Sequence, residues 1–279
     1  VVDEVVGMWI TLLLVPLAIM SLNALRVRQC DWGRGLWLYL CLPGFSALAG
    51  SVTGTISGRL LRGRPRLAVL AAWTFVLASF MVCAARLVWA PPIFLYDAFA
   101  GYFPGALFDE QIVLGDAFFW SRVYYLGWGV LALGLAAIVL GERRRRVWVA
   151  VALAALGTAA LYARSGSLGF IVSADDIARG LGGRRETEHF VIVYAADPKL
   201  ARDMDEIALD HEFRYRQLAS LFGEAPPGKI RSFYFSSPQE KRTWMGAADT
   251  YIAKPWRREI YIQHDGPPHQ VLRHELAHV

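Results

Sequence analysis

The residues whose types and spacing can do chemistry stand together near the end of the chain: His274, Glu275, Leu276, Ala277 and His278. On a helix, side chains four apart lie one above the other on the same face. Two imidazoles so placed can both reach a single Zn²⁺ at about 2.0–2.1 Å. Glu275 is turned from them by about 100° around the helix axis, so it flanks the metal without having to bind it. The chemistry is hydrolytic: the ion lowers the pKa of its bound water toward about 7 and polarises a carbonyl, while the carboxylate takes the proton. The expected metal ligands are therefore His274 and His278, and the expected general base is Glu275. Val271, Leu272, Leu276, Ala277 and Val279 give the same stretch the apolar side that a buried active-site helix needs.

The other titratable residues carry plainer expectations. His211 falls on the apolar face of a long helix and reads as a hydrogen-bonded core histidine. His264, Asp265 and His269 cluster in a turn before the motif and are weak candidates for a third ligand. His189 precedes a strand and is expected to be exposed. Arg257 and Arg258 read as a solvated edge that discourages further strand pairing.

The elements that must position the motif follow from periodicity and breakers. Ser173 is expected to cap a short helix to about Leu181, followed by a Gly-Gly break. His189–Ala195 (HFVIVYA) alternates and reads as a strand. Asp197-Pro198 opens a helix that runs to Phe222 and stops at Gly223. Its buried face is expected to carry Leu200, Met204, Ile207, His211, Tyr215, Leu218 and Phe222. Ile230–Ser236 is a second strand, Ser237-Pro238 begins a short helix, and Glu259–Gln263 is a third strand. Gly266-Pro267-Pro268 breaks the chain before a final helix over His269–Val279. The architecture expected of this part is α+β.

Upstream the composition changes class. The chain has 279 residues, 55% hydrophobic and 19% charged, against about a quarter charged in ordinary soluble proteins. The apolar excess lies before about residue 164, in runs of bilayer-spanning length. Five spans are expected, at about 5–25, 36–58, 67–90, 123–141 and 147–163. Residues 1–163 thus read as a multi-pass membrane region and 164–279 as a soluble domain. Gly50, Gly54 and Gly58, at spacing four, are expected to pack one helix closely against another within the bundle.

Arg59, Arg62, Arg64 and Arg66, and the four arginines 143–146, mark two cytoplasmic loops by the positive-inside rule. The loop from Pro91 to Ser121 has Asp97, Asp109, Glu110 and Asp116 with no Lys or Arg, so it is expected outside, its aromatics lying at the interface. Only Arg26, Arg28 and Arg34 disagree. Residues 164–279 are then extracytoplasmic, in an integral membrane protein of the bacterial inner or cell membrane. Their 16 Lys+Arg balance 16 Asp+Glu, so the net +5 belongs to the membrane region and no nucleic-acid partner is implied. The expected partners are the bilayer and a peptide or protein substrate. Cys30, Cys41 and Cys83 form neither a disulfide framework nor a CxxC motif.

VLRHELAHV resembles the zincin signature, and the succession of strands and helices before it is similar to the peptidase-MA-like group of gluzincins. ETEHFVIVYA, the long helix ending LFG, and EIYIQ just before the motif also match that pattern, over about residues 185–279. The resemblance implies a zinc metallopeptidase. It also implies that Glu259–Gln263 is the edge strand along which an extended substrate lies, and that the third ligand is a Glu on a later helix. Because the sequence opens on Val1 and stops one residue past the motif, it reads as a fragment, inactive by itself. A non-catalytic membrane sensor or transporter-like protein is the competing reading. The presence of Glu275, dispensable for metal binding alone, favours the enzyme. An intramembrane protease is disfavoured by the polar residues opening the motif's helix, Pro267, Pro268, His269, Gln270 and Arg273.

Overall fold

The computed structural model describes residues 2–27, 31–104 and 114–279, the side chain of Val2 excepted. Expectations about Arg28, Cys30, Asp109 and Glu110 lie outside these residues. The chain divides into two compact units. One takes the chain up to Val88, with Leu95–Phe103 and Leu114–Ile171; the other contains Trp89–Phe94 and Val172–Val279.

In the first unit, α1 (Val2–Ala24), α2 (Trp32–Tyr39), α3 (Phe45–Leu60), α4 (Pro65–Trp89), α5 (Asp116–Val139) and α6 (Arg145–Ala163) are the helices. Between α2 and α3 the chain runs through one π-helical turn, Leu40–Gly44, at Pro43. A proline lacks the amide donor and its ring crowds the preceding turn, so the ladder widens there rather than stopping. The described residues thus hold five helical stretches long and apolar enough to cross a membrane, α2 and α3 counting as one. Few of their side chains are buried, which suits surfaces solvated by lipid.

Three expectations change here. The fourth span begins at Asp116, seven residues before the position its hydropathy suggested. The expected interfacial loop contains a hairpin of β1 (Leu95–Asp97) and β2 (Gly101–Phe103). Asp97 in that hairpin is buried, accepting from the amides of Phe99 and Ala100 and from Ser79 Oγ at 2.6–2.8 Å. Finally, the Gly50, Gly54 and Gly58 stripe makes no close helix contact among the described residues: a Cβ at any of them would meet no heavy atom within 4 Å. Close helix approach falls instead to Gly127 and Gly134 of α5, where a Cβ would collide with Thr158 and Val151 of α6.

The second unit contains α7 (Ala174–Leu181), β3 (Gly182–Glu186), β4 (Phe190–Ala195), α8 (Pro198–Phe222) and β5 (Ile230–Phe235). These are followed by α9 (Pro238–Met245), β6 (Ile252–Lys254), β7 (Glu259–Gln263) and α10 (Leu272–Ala277). Ser173 caps α7 through a reciprocal pair with Asp176, and Asp197 caps α8 with Pro198 in its first turn. The sheet has the order β3-β4-β5-β7-β6; β4, β5 and β7 are parallel, and β3 and β6 run antiparallel at its two edges.

The alternation of β5 sorts the layers. Ser232 and Tyr234 meet His211 of α8, whereas Phe233 stacks on Tyr261 of β7 on the opposite face. Lys241 of α9 reaches Gln263 on that second face. The core gathers Ile177, Phe190, Ile192, Met204, Ile207, Phe233, Tyr261, Ile262 and Leu272.

Two strands of this unit were not anticipated. The Gly-Gly break is β3, which pairs along β4, and β6 lies outside β7. Glu259–Gln263 is therefore an interior strand, buried at all five positions, and not the edge. Phe222 sits exposed at the end of α8 instead of on its buried face. The last helix is shorter than expected, since residues 269–271 precede it.

Candidate metal centre

α10 carries the motif on a two-sided helix. Leu272 and Leu276 enter the core, packing the helix against α8 and the sheet. His274 and His278 stay on the exposed side. Their Nε2 atoms approach to 3.2 Å, with the rings nearly perpendicular at 84°. Two Zn–N bonds of about 2.05 Å whose nitrogens are that far apart enclose about 103°, close to tetrahedral. The pair therefore fits two corners of one zinc site. Neither Nδ1 has a hydrogen-bond partner among the described residues.

Glu275, between the two histidines in sequence, is buried, 6% exposed. Burial pushes its carboxyl pKa up, against the pull of His274, His278 and Lys241. A carboxylate held at raised basicity beside a pair of imidazoles can take a proton from water. Its oxygens do not form a three-ligand group with the two histidines among the described residues.

His269 sets the start of this helix. It is buried, its Nε2 donates to the carbonyl of Gln263 at 2.9 Å, and its Nδ1 accepts from the amides of Val271 and Leu272 at 3.2 Å. Asp210 of α8 accepts from the His269 amide at 2.8 Å. Both ring nitrogens are thus committed to the backbone, one tying the helix to the end of β7 and the other serving its unsatisfied amides. Burial lowers the His269 pKa, which keeps the ring neutral for this role. His264, the other histidine of the turn, pairs its Nδ1 with Tyr234 Oη at 3.2 Å. Neither supplies a third ligand beside His274 and His278.

Lys241 and Tyr251 join the site without any signal in the sequence. Lys241 is fully buried; its Nζ donates to Thr250 O at 2.8 Å and to Gln263 Oε1, and lies 4.6 Å from the centre of the Tyr251 ring. Tyr251 also meets His269 edge-on at 5.7 Å. A lysine in a short polar helix reads as a solvated charge, and only the approach of α9 to the end of β7 makes it part of this wall.

The remaining histidines are structural. His211 donates from Nδ1 to Ile207 O at 2.7 Å and accepts at Nε2 from Ser232 Oγ at 2.9 Å; burial lowers its pKa to about 4. His189 is half-buried, correcting its expected exposure: it stacks on Tyr215 at 4.0 Å and its Nδ1 donates to Glu212 at 2.7 Å. Glu188, His189 and Glu212 form the one close group of three metal-capable residues among the described residues. Both Glu212 oxygens are already taken by the His189 amide and ring, so the group is self-satisfied. Arg257 is no free edge charge either, since it clasps the buried Glu259 through two bonds of 2.6 and 3.0 Å.

No family model matches this chain, and comparisons with curated proteins and with solved structures return no match.

Proposed function

We propose that this chain belongs to a membrane-anchored zinc metallopeptidase of the peptidase-MA-like kind, hydrolysing peptide bonds outside the cytoplasm. The observation that carries the reading is the convergence of the His274 and His278 Nε2 atoms at 3.2 Å, with Glu275 buried alongside. His274 and His278 hold the ion. When bound, zinc supplies Lewis-acid polarisation of the scissile carbonyl and acidifies a water molecule.

Glu275 accepts the proton of the attacking water. The water oxygen bonds to the carbonyl carbon, the C–N bond breaks, and the proton passes from Glu275 to the leaving amine. His269 fixes the start of α10 relative to the end of β7, and Lys241 ties that end of β7 to α9, so the base and both imidazoles sit on an anchored helix. β6 is the sheet's last strand on the side where α10 packs, and an extended peptide can add to such an edge through main-chain hydrogen bonds. Support for a membrane setting comes from five helices of spanning length and from the arginine-rich loops between them.

The test uses the complete protein reconstituted with zinc. Glu275→Gln keeps both imidazoles and should retain zinc while kcat falls by about 10²–10⁴. His274→Ala and His278→Ala should lose metal and activity together. Unchanged hydrolysis by Glu275→Gln would remove Glu275 from the role of base.

A further inference from the structure

The segment that leaves α4 belongs to the second unit, although the hairpin after it belongs to the first. Trp89–Phe94 packs with the sheet and its helices. The Ile93 amide donates to the carbonyl of Met245 at 3.1 Å, at the end of α9. Phe94 lies over Gly246, whose positive φ of 87° and lack of a Cβ let the ring approach. Lys254 of β6 donates from Nζ to the carbonyl of Ala90, and only 4% of this lysine is exposed. Burial lowers its pKa to about 8.

Ala90 is the residue directly after Trp89, the last residue of a helix of spanning length. One peptide step is about 3.8 Å. β6 is therefore bonded to the chain at the point where that helix ends, the level at which tryptophans gather at a bilayer surface. β6 rises about 3.4 Å per residue, so Tyr251 lies roughly 10 Å along the strand from Lys254. Tyr251 lies within electrostatic reach of Glu275. An extended chain bridges that distance with about three to five residues.

We propose that the clamp of Lys254, Met245 and Gly246 on Trp89–Phe94 holds the edge strand β6 beside the membrane surface, so that the substrate is a polypeptide cut a few residues from its own membrane span. This rests on the peptidase reading, and the placement can be tested apart from it. A substrate confined to the same bilayer, with its cleavable segment at the right height, meets the site at a raised effective concentration. A free peptide or a bond far from the bilayer has no such advantage.

The placement is read from the complete protein in vesicles of zwitterionic lipid brominated in the acyl chains. A coumarin amino acid is introduced at the Trp256 position beside β6, or at the Glu186 position on β3. The two edges lie four strand spacings apart, about 19 Å. Quenching at 256 and none at 186 is expected; equal or reversed quenching overturns the placement.

Cleavage is then measured with zinc on one peptide segment set about 5 or about 40 residues from a single-span anchor, and on the same segment free in solution. The short tether should be cut at least about tenfold faster than either alternative. Equal rates on all three overturn the substrate assignment while leaving the peptidase intact. Quenching at 256 without cleavage of any substrate overturns the peptidase reading and leaves the placement standing.

Discussion

Single residues in the second unit are held neutral by burial, and that has a measurable pH signature. His211 is completely enclosed and its two nitrogens are spoken for, so protonation breaks the bond in which Nε2 accepts from Ser232. Its folded pKa of about 4 lies below the ordinary 6.5. Above pH 6.5 the ring is neutral in both states and its full contribution is present. As pH falls from 6.5 toward 4 the unfolded chain gains a proton that the folded one refuses, so stability declines. At about 1.4 kcal/mol per pKa unit the loss approaches about 3 kcal/mol. Urea unfolding followed by a fluorophore on α8 should show this decline, and His211→Gln should flatten it. A variant that loses stability as steeply as the parent would assign the acid sensitivity elsewhere.

Zinc affinity is also set at this scale. This chain presents two converging imidazoles with no third ligand beside them among the described residues and with neither Nδ1 anchored. Missing partners to the outer ring nitrogens alone typically cost about 10–100-fold in affinity. Titration of residues 1–279 with zinc should therefore show weak binding and no peptide turnover. Tight stoichiometric binding would mean that another residue of this chain completes the site.

At the scale of elements, α10 is a six-residue helix, too short to hold itself together. Its order comes from Leu272 and Leu276 in the core and from the His269 ring that receives two of its first amides. His269→Ala leaves those amides without an acceptor, at a cost of about 1–2 kcal/mol. Faster hydrogen exchange through Val271–Leu276, with α8 unchanged, is the expected result. Unaltered exchange in α10 would show that core packing alone orders the helix.

The β1–β2 hairpin is a parallel case in the other unit. Arg122 of α5 donates to the carbonyls of Asp97 and Gly101 at 2.8 and 2.6 Å, with its guanidinium 4.9 and 4.4 Å from the ring centres of Phe45 and Phe118. A hairpin this short is marginal by itself and depends on such an anchor.

At the scale of the whole molecule, loop charge bears on which side of a bilayer carries residues 172–279. We propose from the two arginine-rich loops that these residues lie outside the cytoplasm, since positive loops are retained there. Single cysteines at Asp175 and Glu224 report this best. Both are exposed, whereas Gly182 and Gly228 have positive φ of 80° and 76° and would be strained by any side chain. Labelling of both positions in intact cells by a membrane-impermeant maleimide is expected. Protection at both, lifted only by permeabilisation, would reverse the orientation.

Features that depend on neighbours along the chain were legible in the sequence. The apolar runs of α1 and α4, the Asp197-Pro198 start and Gly223 stop of α8, and the alternation of β4 are local patterns, and each element formed where its pattern stood. The four-residue spacing of His274 and His278 is likewise enough to bring two imidazoles together on any helix. Tertiary structure decided what depends on partners distant in the chain. Gly182–Glu186 has the composition of a turn and is a strand only because β4 offers its edge. Ile252–Lys254 is too short to show alternation, yet by pairing outside β7 it turns the expected edge strand into an interior one. The same holds for single side chains. Lys241, Asp97 and Arg122 look like surface charges in one dimension. Each is buried because carbonyls, amides or hydroxyls from elements far away in sequence converge on it, and a charge enters a protein interior only where such partners wait.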